Sequence, residues 1–130
     1  MTKIEAPLWQ ALLQNRHQHA TSFHMPGHKY GVAAPEALLT AWGTEMWQYD
    51  VTELPGLDNL AAPSGVIAAA QQLLADFCQV QKAYFLINGA TVGLQAAILA
   101  CCHPGEQILV PRHAHHSVWA ALALAKVEPV

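Results

Sequence analysis

The chain has 130 residues, room for one domain of ordinary size and not for two full ones. Hydrophobic residues make up 53% of it and charged residues 12%, which excludes intrinsic disorder, a state that needs low hydrophobicity and high charge. The net charge of −3, with Lys3, Arg16, Lys29, Lys82, Arg112 and Lys126 scattered along the chain, argues against a nucleic-acid partner, because phosphate contacts need clustered cations.

Pro7 suits the first position of a helix, and Leu8, Trp9, Leu12 and Leu13 then share one face; this helix is expected to end near His19. TSFHMPGHKYG, residues 21–31, reads as a loop. A second short helix is expected from Pro35 to just before Gly43, with Leu38, Leu39 and Trp42 on its apolar side. Residues 50–65, DVTELPGLDNLAAPSG, carry three turn signals; Asp50 and Glu53 have capping-box spacing, yet Pro55-Gly56 leaves no helix to cap. This first part is irregular and rich in aromatic anchors (Trp9, Phe23, Tyr30, Trp42, Trp47, Tyr49), and is expected to wrap around something rather than build a core.

The second part is more regular. Ser64 is expected to cap a helix running to about Cys78, with Ile67, Leu73, Leu74 and Phe77 inward. Residues 83–87, AYFLI, read as a buried strand, Thr91 to Cys101 as a helix, and residues 107–110 as a second strand closed by Pro111. A helix from His116 to Ala125 follows, and residues 127–130 look like the opening of a further strand. This alternation is the pattern of a layered α/β domain with parallel strands. A surface so poor in charge is expected to be covered in part by more chain or by a partner.

Three cysteines, Cys78, Cys101 and Cys102, form no disulfide framework and read as small buried thiols in a reduced compartment. The first ten residues do not read as a signal peptide. Residues 83–102 are uncharged and long enough to cross a bilayer, but Asn88-Gly89 breaks the span, so a soluble, cytoplasmic protein with no membrane association is expected.

The most informative local feature is the turn FLINGATVG. Helix amides opening at Gly89-Ala90-Thr91 form a phosphate-sized anion site, although such a turn also serves as a plain strand-to-helix connection. It is neither a Walker A loop nor a dinucleotide fingerprint. His113, His115 and His116 follow the second strand. With Cys101, Cys102 and His103 they suggest a soft-metal site, but the spacing matches no structural zinc motif; the other reading lays one imidazole flat on an aromatic ligand. His24 and His28 flank Met-Pro-Gly and read as surface histidines.

SFHMPGHKYG, DVTELPGLDNLAAPSGVI, YFLINGATVG and ILVPRHAHHSV, in this order from Ser22 to Val130, resemble the start of the bacterial Orn/Lys/Arg decarboxylases, pyridoxal-phosphate (PLP) enzymes of fold type I. The resemblance implies an irregular helical arm at residues 1–62, then the first part of a three-layer α/β/α PLP-binding domain at 63–130, with an incomplete sheet. In that sheet the strands at 83–87 and 107–110 are not neighbours. By resemblance Ala90 and Thr91 hold the PLP phosphate, Gly89 allows its approach, and His115 stacks on the pyridine ring. His113 stands where the family has Asn and His116 where it has Lys, which puts any contact of that Lys in doubt. The PGHK loop and residues 50–58 resemble a segment near the active site and dimer contact, without individual catalytic roles.

The family's chemistry also needs a Schiff-base Lys in a Ser-x-His-Lys motif, and none of Lys3, Lys29, Lys82 and Lys126 sits in one. The resemblance thus implies the N-terminal portion of a PLP-dependent arginine, lysine or ornithine decarboxylase, truncated, inactive by itself and not holding PLP covalently. The parent enzyme is expected to act on a small basic amino acid and to be a homo-oligomer, with this chain needing the missing C-terminal part. Two alternatives stand beside it: a non-catalytic partner that assembles with a complementary chain, and a metal-binding module.

Overall fold

The computed structural model of the protein describes residues 6–17 and 21–130. Its contacts divide the chain into two units, Met1–Tyr84 and Phe85–Val130. In the first unit, α1 (Pro7–His17) buries Ala11 and half-buries Leu8, Leu12 and Leu13, whereas Trp9 is exposed. The expected end near His19 falls outside the described residues. In α2 (Glu36–Trp42), Pro35 is the residue before the first turn, and Gly43 closes the helix at φ 77° by donating its N–H to Leu39 O at 2.9 Å. Trp42 is exposed but stacks on Trp47 with centroids 5.8 Å apart, and Trp47, in a 3-10 turn (Met46–Gln48), is buried.

Helix α3 (Val66–Cys78) packs on α1. Its expected cap, Ser64, is not the acceptor. Gly65 is the capping residue, and Asp58, in left-handed backbone at φ 70°, supplies the oxygens. Asp58 Oδ2 accepts from the N–H groups of Gly65, Ile67 and Ala68 at 2.7, 3.0 and 3.3 Å; Oδ1 accepts from Ser64 at 3.0 Å and Asn59 at 2.8 Å. These amides, Ser64 foremost, hold the Asp58 carboxyl far below the usual carboxylate range. The inward set also needs correction: Leu73, Leu74 and Phe77 are exposed, Phe77 by 87%, and Ala75 is the residue α3 buries. Helix α1 packs on this helix, yet Leu73, Leu74 and Phe77 stay exposed.

The expected strand at 83–87 is not a strand. Among the described residues its backbone makes no ladder hydrogen bond, and Ile87 is 81% exposed. A strand exists only through a partner, and no described segment pairs with this one.

In the second unit, α4 (Gly89–Cys101) starts two residues earlier than expected, and α5 (His116–Ala125) keeps the expected bounds. Between and after them, β1 (Gln107–Ile108) pairs in parallel with β2 (Glu128–Pro129), with Gln107 opposite Glu128 and Ile108 opposite Pro129. Backbone bonds extend the pairing: Gly105 N donates to Lys126 O at 2.8 Å and Val110 N to Val130 O at 3.0 Å. Parallel strands need a crossover, and α5 is that crossover. Lys126, left-handed at φ 56°, ends α5 and lets Val127 donate to Leu122 O at 3.1 Å. Leu122, Ala125 and Val127 form the core, covered by Ile98 and Cys102 from the end of α4, by Ile108 and Val110, and by Val118.

The three thiols are free, and the expectation of burial fails for two of them: Cys78 and Cys101 are exposed as the last residues of α3 and α4, while Cys102 is half-buried.

Two outcomes follow for stability. Leu122→Ala removes a side chain that is 3% exposed from the only apolar cluster of the second unit. It is expected to cost about 2–4 kcal/mol in urea denaturation. Asp58 contributes fully above the ordinary Asp value of 3.8, and its contribution drains away as pH falls below that value, because the folded carboxyl keeps its charge longer than the unfolded one. Asp58→Asn is expected to weaken hydrogen-exchange protection at Gly65, Ile67 and Ala68 at neutral pH and to flatten the loss of α3 in acid.

Candidate functional site

Among the described residues, helix α4 begins without a protein acceptor. Asn88, at φ −108° and ψ 32°, precedes it, and its side chain caps nothing. Gly89 turns the chain at φ 68°. Among the described residues no carbonyl or side chain accepts from the amides of Gly89, Ala90 or Thr91, and nothing engages the Thr91 hydroxyl. Gly89 and Ala90 are exposed and Thr91 is half-buried, and a Cβ built on Gly89 would meet nothing within 4 Å. Three amides and a hydroxyl are thus without a described partner at the positive end of a 13-residue helix, a donor set that suits a phosphate. Gly93, one turn on, is a close approach instead: a Cβ there would stand 2.7 Å from Leu86 Cδ1.

His115 begins α5. Its Nδ1 lies 2.8 Å from Ser117 Oγ and accepts from the Ser117 N–H at 3.3 Å, so the ring caps its own helix. Ser117 is fully buried while His115 is exposed, and His115 and His116 meet with ring centroids 4.0 Å apart. The two sequence-predicted elements are thus the starts of two helices that pack on each other, α4 and α5. Hollows of about 450 and 480 Å³ lie elsewhere, in the first unit; Gly89, Ala90, Thr91 and His115 line neither. Among the described residues no three His, Cys, Asp or Glu side chains converge as metal ligands, Cys101, Cys102, His103, His113, His115 and His116 included. No helix of the described residues is long and apolar enough to cross a membrane.

The arm loop is more ordered than its turn signals suggest. Arg16, in the last turn of α1, grips Glu45 through two bonds of 2.7 and 2.9 Å and donates to Tyr49 OH at 2.8 Å. Glu45 foremost, then Tyr49, raises the Arg16 pKa above its usual range, and Arg16 in turn lowers that of Glu45. His24 and His28, read as surface histidines, are half-buried and hydrogen-bonded. Their partners Tyr30 and Asp50 lie 6 and 22 residues away, and no local motif announced the second pairing.

The mixed α/β architecture, with an open sheet and flanking helices, is that of part of a PLP-transferase-like domain preceded by a helical arm. It superimposes on the constitutive lysine decarboxylase of E. coli with a TM-score of 0.85 at 22% identity, over 97% of this chain and 19% of that one. A family model described as Orn/Lys/Arg decarboxylase, major domain, matches residues 6–130, and the chain belongs to that family. Among curated relatives, the uncharacterized protein YaaO of Bacillus subtilis (strain 168) is 42% identical over 127 residues, covering 98% of this chain and 26% of the relative. An arginine decarboxylase of Bacillus cereus is 32% identical over 130 residues, covering 100% and 28%. The chain spans about a quarter of the length of these two relatives.

Gly89→Ala tests the turn. The added methyl meets no atom, but its φ of 68° disfavours any side chain. The substitution is expected to cost about 1–2 kcal/mol, read as early fraying of α4 in hydrogen exchange while α5 keeps its protection.

Proposed function

We propose that these residues belong to the cofactor-holding part of a PLP-dependent decarboxylase of a basic amino acid. The observation that carries the reading is the open donor set at the start of α4. The amides of Gly89, Ala90 and Thr91 and the Thr91 hydroxyl bind the phosphate, and the glycine keeps the approach clear of a Cβ. His115 lays its exposed imidazole on the pyridine ring, its edge held by Ser117. PLP, when bound, supplies an electron sink for the bond electrons left by departing carbon dioxide. None of the four lysines stands in a Ser-x-His-Lys motif, so these residues bind and orient rather than hold the cofactor covalently. Arginine decarboxylases among the relatives make arginine the first substrate to assay, with lysine and ornithine after it. The setting is a cytoplasmic homo-oligomer.

A second reading, a chain that acts by assembling with a complementary polypeptide, is favoured by one observation. Ile87 and Leu109 are exposed by 81% and 85% in segments that elsewhere would sit inside a sheet.

Titration of the chain with PLP and with pyridoxal, followed by absorbance, tests the phosphate site. Thr91→Ala is expected to weaken PLP binding about tenfold or more, the worth of a hydrogen bond to a charged group, and to leave pyridoxal unchanged. Equal affinity for PLP and pyridoxal, or indifference to Thr91→Ala, overturns the reading.

A further inference from the structure

The segment His24–Gly31, which the cofactor reading leaves unused, holds two histidines in opposite tautomers. His24 Nδ1 lies 2.6 Å from the Met25 carbonyl oxygen and so carries the proton it donates. Its Nε2 accepts, 3.2 Å from both Ser22 Oγ and Tyr30 OH. His28 is the reverse. Its Nδ1 accepts from the Gly31 N–H at 3.2 Å, and a backbone N–H can only donate, so the proton sits on Nε2 and points to Asp50 Oδ2 at 3.1 Å. The His28 side chain is 12% exposed, and its ring meets Trp47 nearly edge-on at 5.0 Å. Gly31 is buried against the same tryptophan.

The His28–Gly31 bond closes over three successive residues in left-handed backbone, Lys29, Tyr30 and Gly31, at φ 51°, 56° and 92°. Two of them carry side chains that disfavour that region, so the turn needs its cross-bonds. Others are present, among them Val32 N to Lys29 O, Ala33 N to His28 O, Ala34 N to Gly31 O, and Gln48 Nε2 to Tyr30 O at 2.7 Å.

We infer that His28 is a proton-sensitive latch on this turn, closed when the imidazole is neutral and released when it is charged. Histidine is the side chain whose ordinary titration crosses pH 5 to 8. A proton on Nδ1 sets two N–H groups against each other, and the backbone amide cannot reverse. His24 differs: its second proton meets the hydroxyls of Ser22 and Tyr30, which rotate to accept. Among the described residues the charged groups near His28 are Asp50, whose Oδ2 accepts from the Nε2–H that both charge states carry and so keeps the ring seated, and Lys29, whose ammonium donates to the His24 carbonyl. The response is therefore loss of the Gly31 bond rather than loss of the ring. Lys29 and Tyr30 line the hollow of about 450 Å³ together with Arg16 and Gln48, so release of the turn reshapes that hollow.

The test is a titration of the full ¹⁵N-labelled chain by NMR from pH 8 to 5, reading the His28 ring nitrogens and the Gly31 amide. At pH 8 the His28 proton is expected on Nε2. As His28 charges, Gly31 exchange, corrected for the intrinsic pH effect, is expected to rise about threefold to tenfold, the loss of one hydrogen bond. His28→Asn, whose side-chain oxygen accepts in place of Nδ1 without titrating, is expected to abolish that rise. A proton on Nδ1 at pH 8, a His28 neutral down to pH 5, a Gly31 amide blind to its titration, or a rise that persists in His28→Asn each overturns the proposal.

Discussion

A helix leaves its first amides without internal acceptors, and helices α3, α4 and α5 meet that constraint in three ways. For α3 the acceptor is a carboxylate from a residue well before the helix, Asp58, which collects five backbone N–H groups on two oxygens. For α5 it is an imidazole nitrogen of the capping residue itself, His115. For α4 there is no acceptor among the described residues. An exposed helix start can use water, so the last case breaks no rule. It does mean that an anion arriving there displaces only solvent, whereas at α3 it would have to compete with a charge already in place.

The same accounting explains which strands form. Residues 105–110 and 126–130 pair because α5 brings them side by side, and the Leu122–Val127 cluster holds that return. Residues 83–87 have the composition of a strand and lack a described partner, so the composition goes unused. Composition reports what a segment prefers; pairing depends on which segments the topology makes adjacent.

That distinction marks what was legible in the sequence. The bounds of α5 and the stop of α2 at Gly43 were readable because each rests on local chemistry, a cap or a turn residue, whereas α4 opens at Gly89, two residues before the expected Thr91. The inward face of α3 was misread because amphipathic spacing says that a face exists and not that anything covers it. Asp58 escaped as the cap of α3 because it acts across six to ten residues from left-handed backbone, outside the usual capping frame. The His28–Asp50 pair escaped for the same reason at greater range. The reading of the NGAT turn as an anion site rests on its own residues, whereas the proposed cofactor and the proposed role of His115 rest on the ordered motifs of a family.

His115 shows how the local and the long-range requirements meet in one side chain. A ring that lies flat on a ligand must have its edge fixed and its face free. Ser117 fixes the edge: its hydroxyl and amide both address Nδ1, so a neutral ring carries its proton on Nε2. Ser117 is itself fully buried, on the helix that contributes Leu122 and Ala125 to the core. The orientation of the exposed imidazole is thus set from the packed side of α5, through one serine, and not by the loop that precedes it. His116, on the same helix start, has no hydrogen bond of that kind among the described residues, and its ring only leans against that of His115. Of the two adjacent histidines, His115 is the one whose ring is held by hydrogen bonds, both from the buried Ser117.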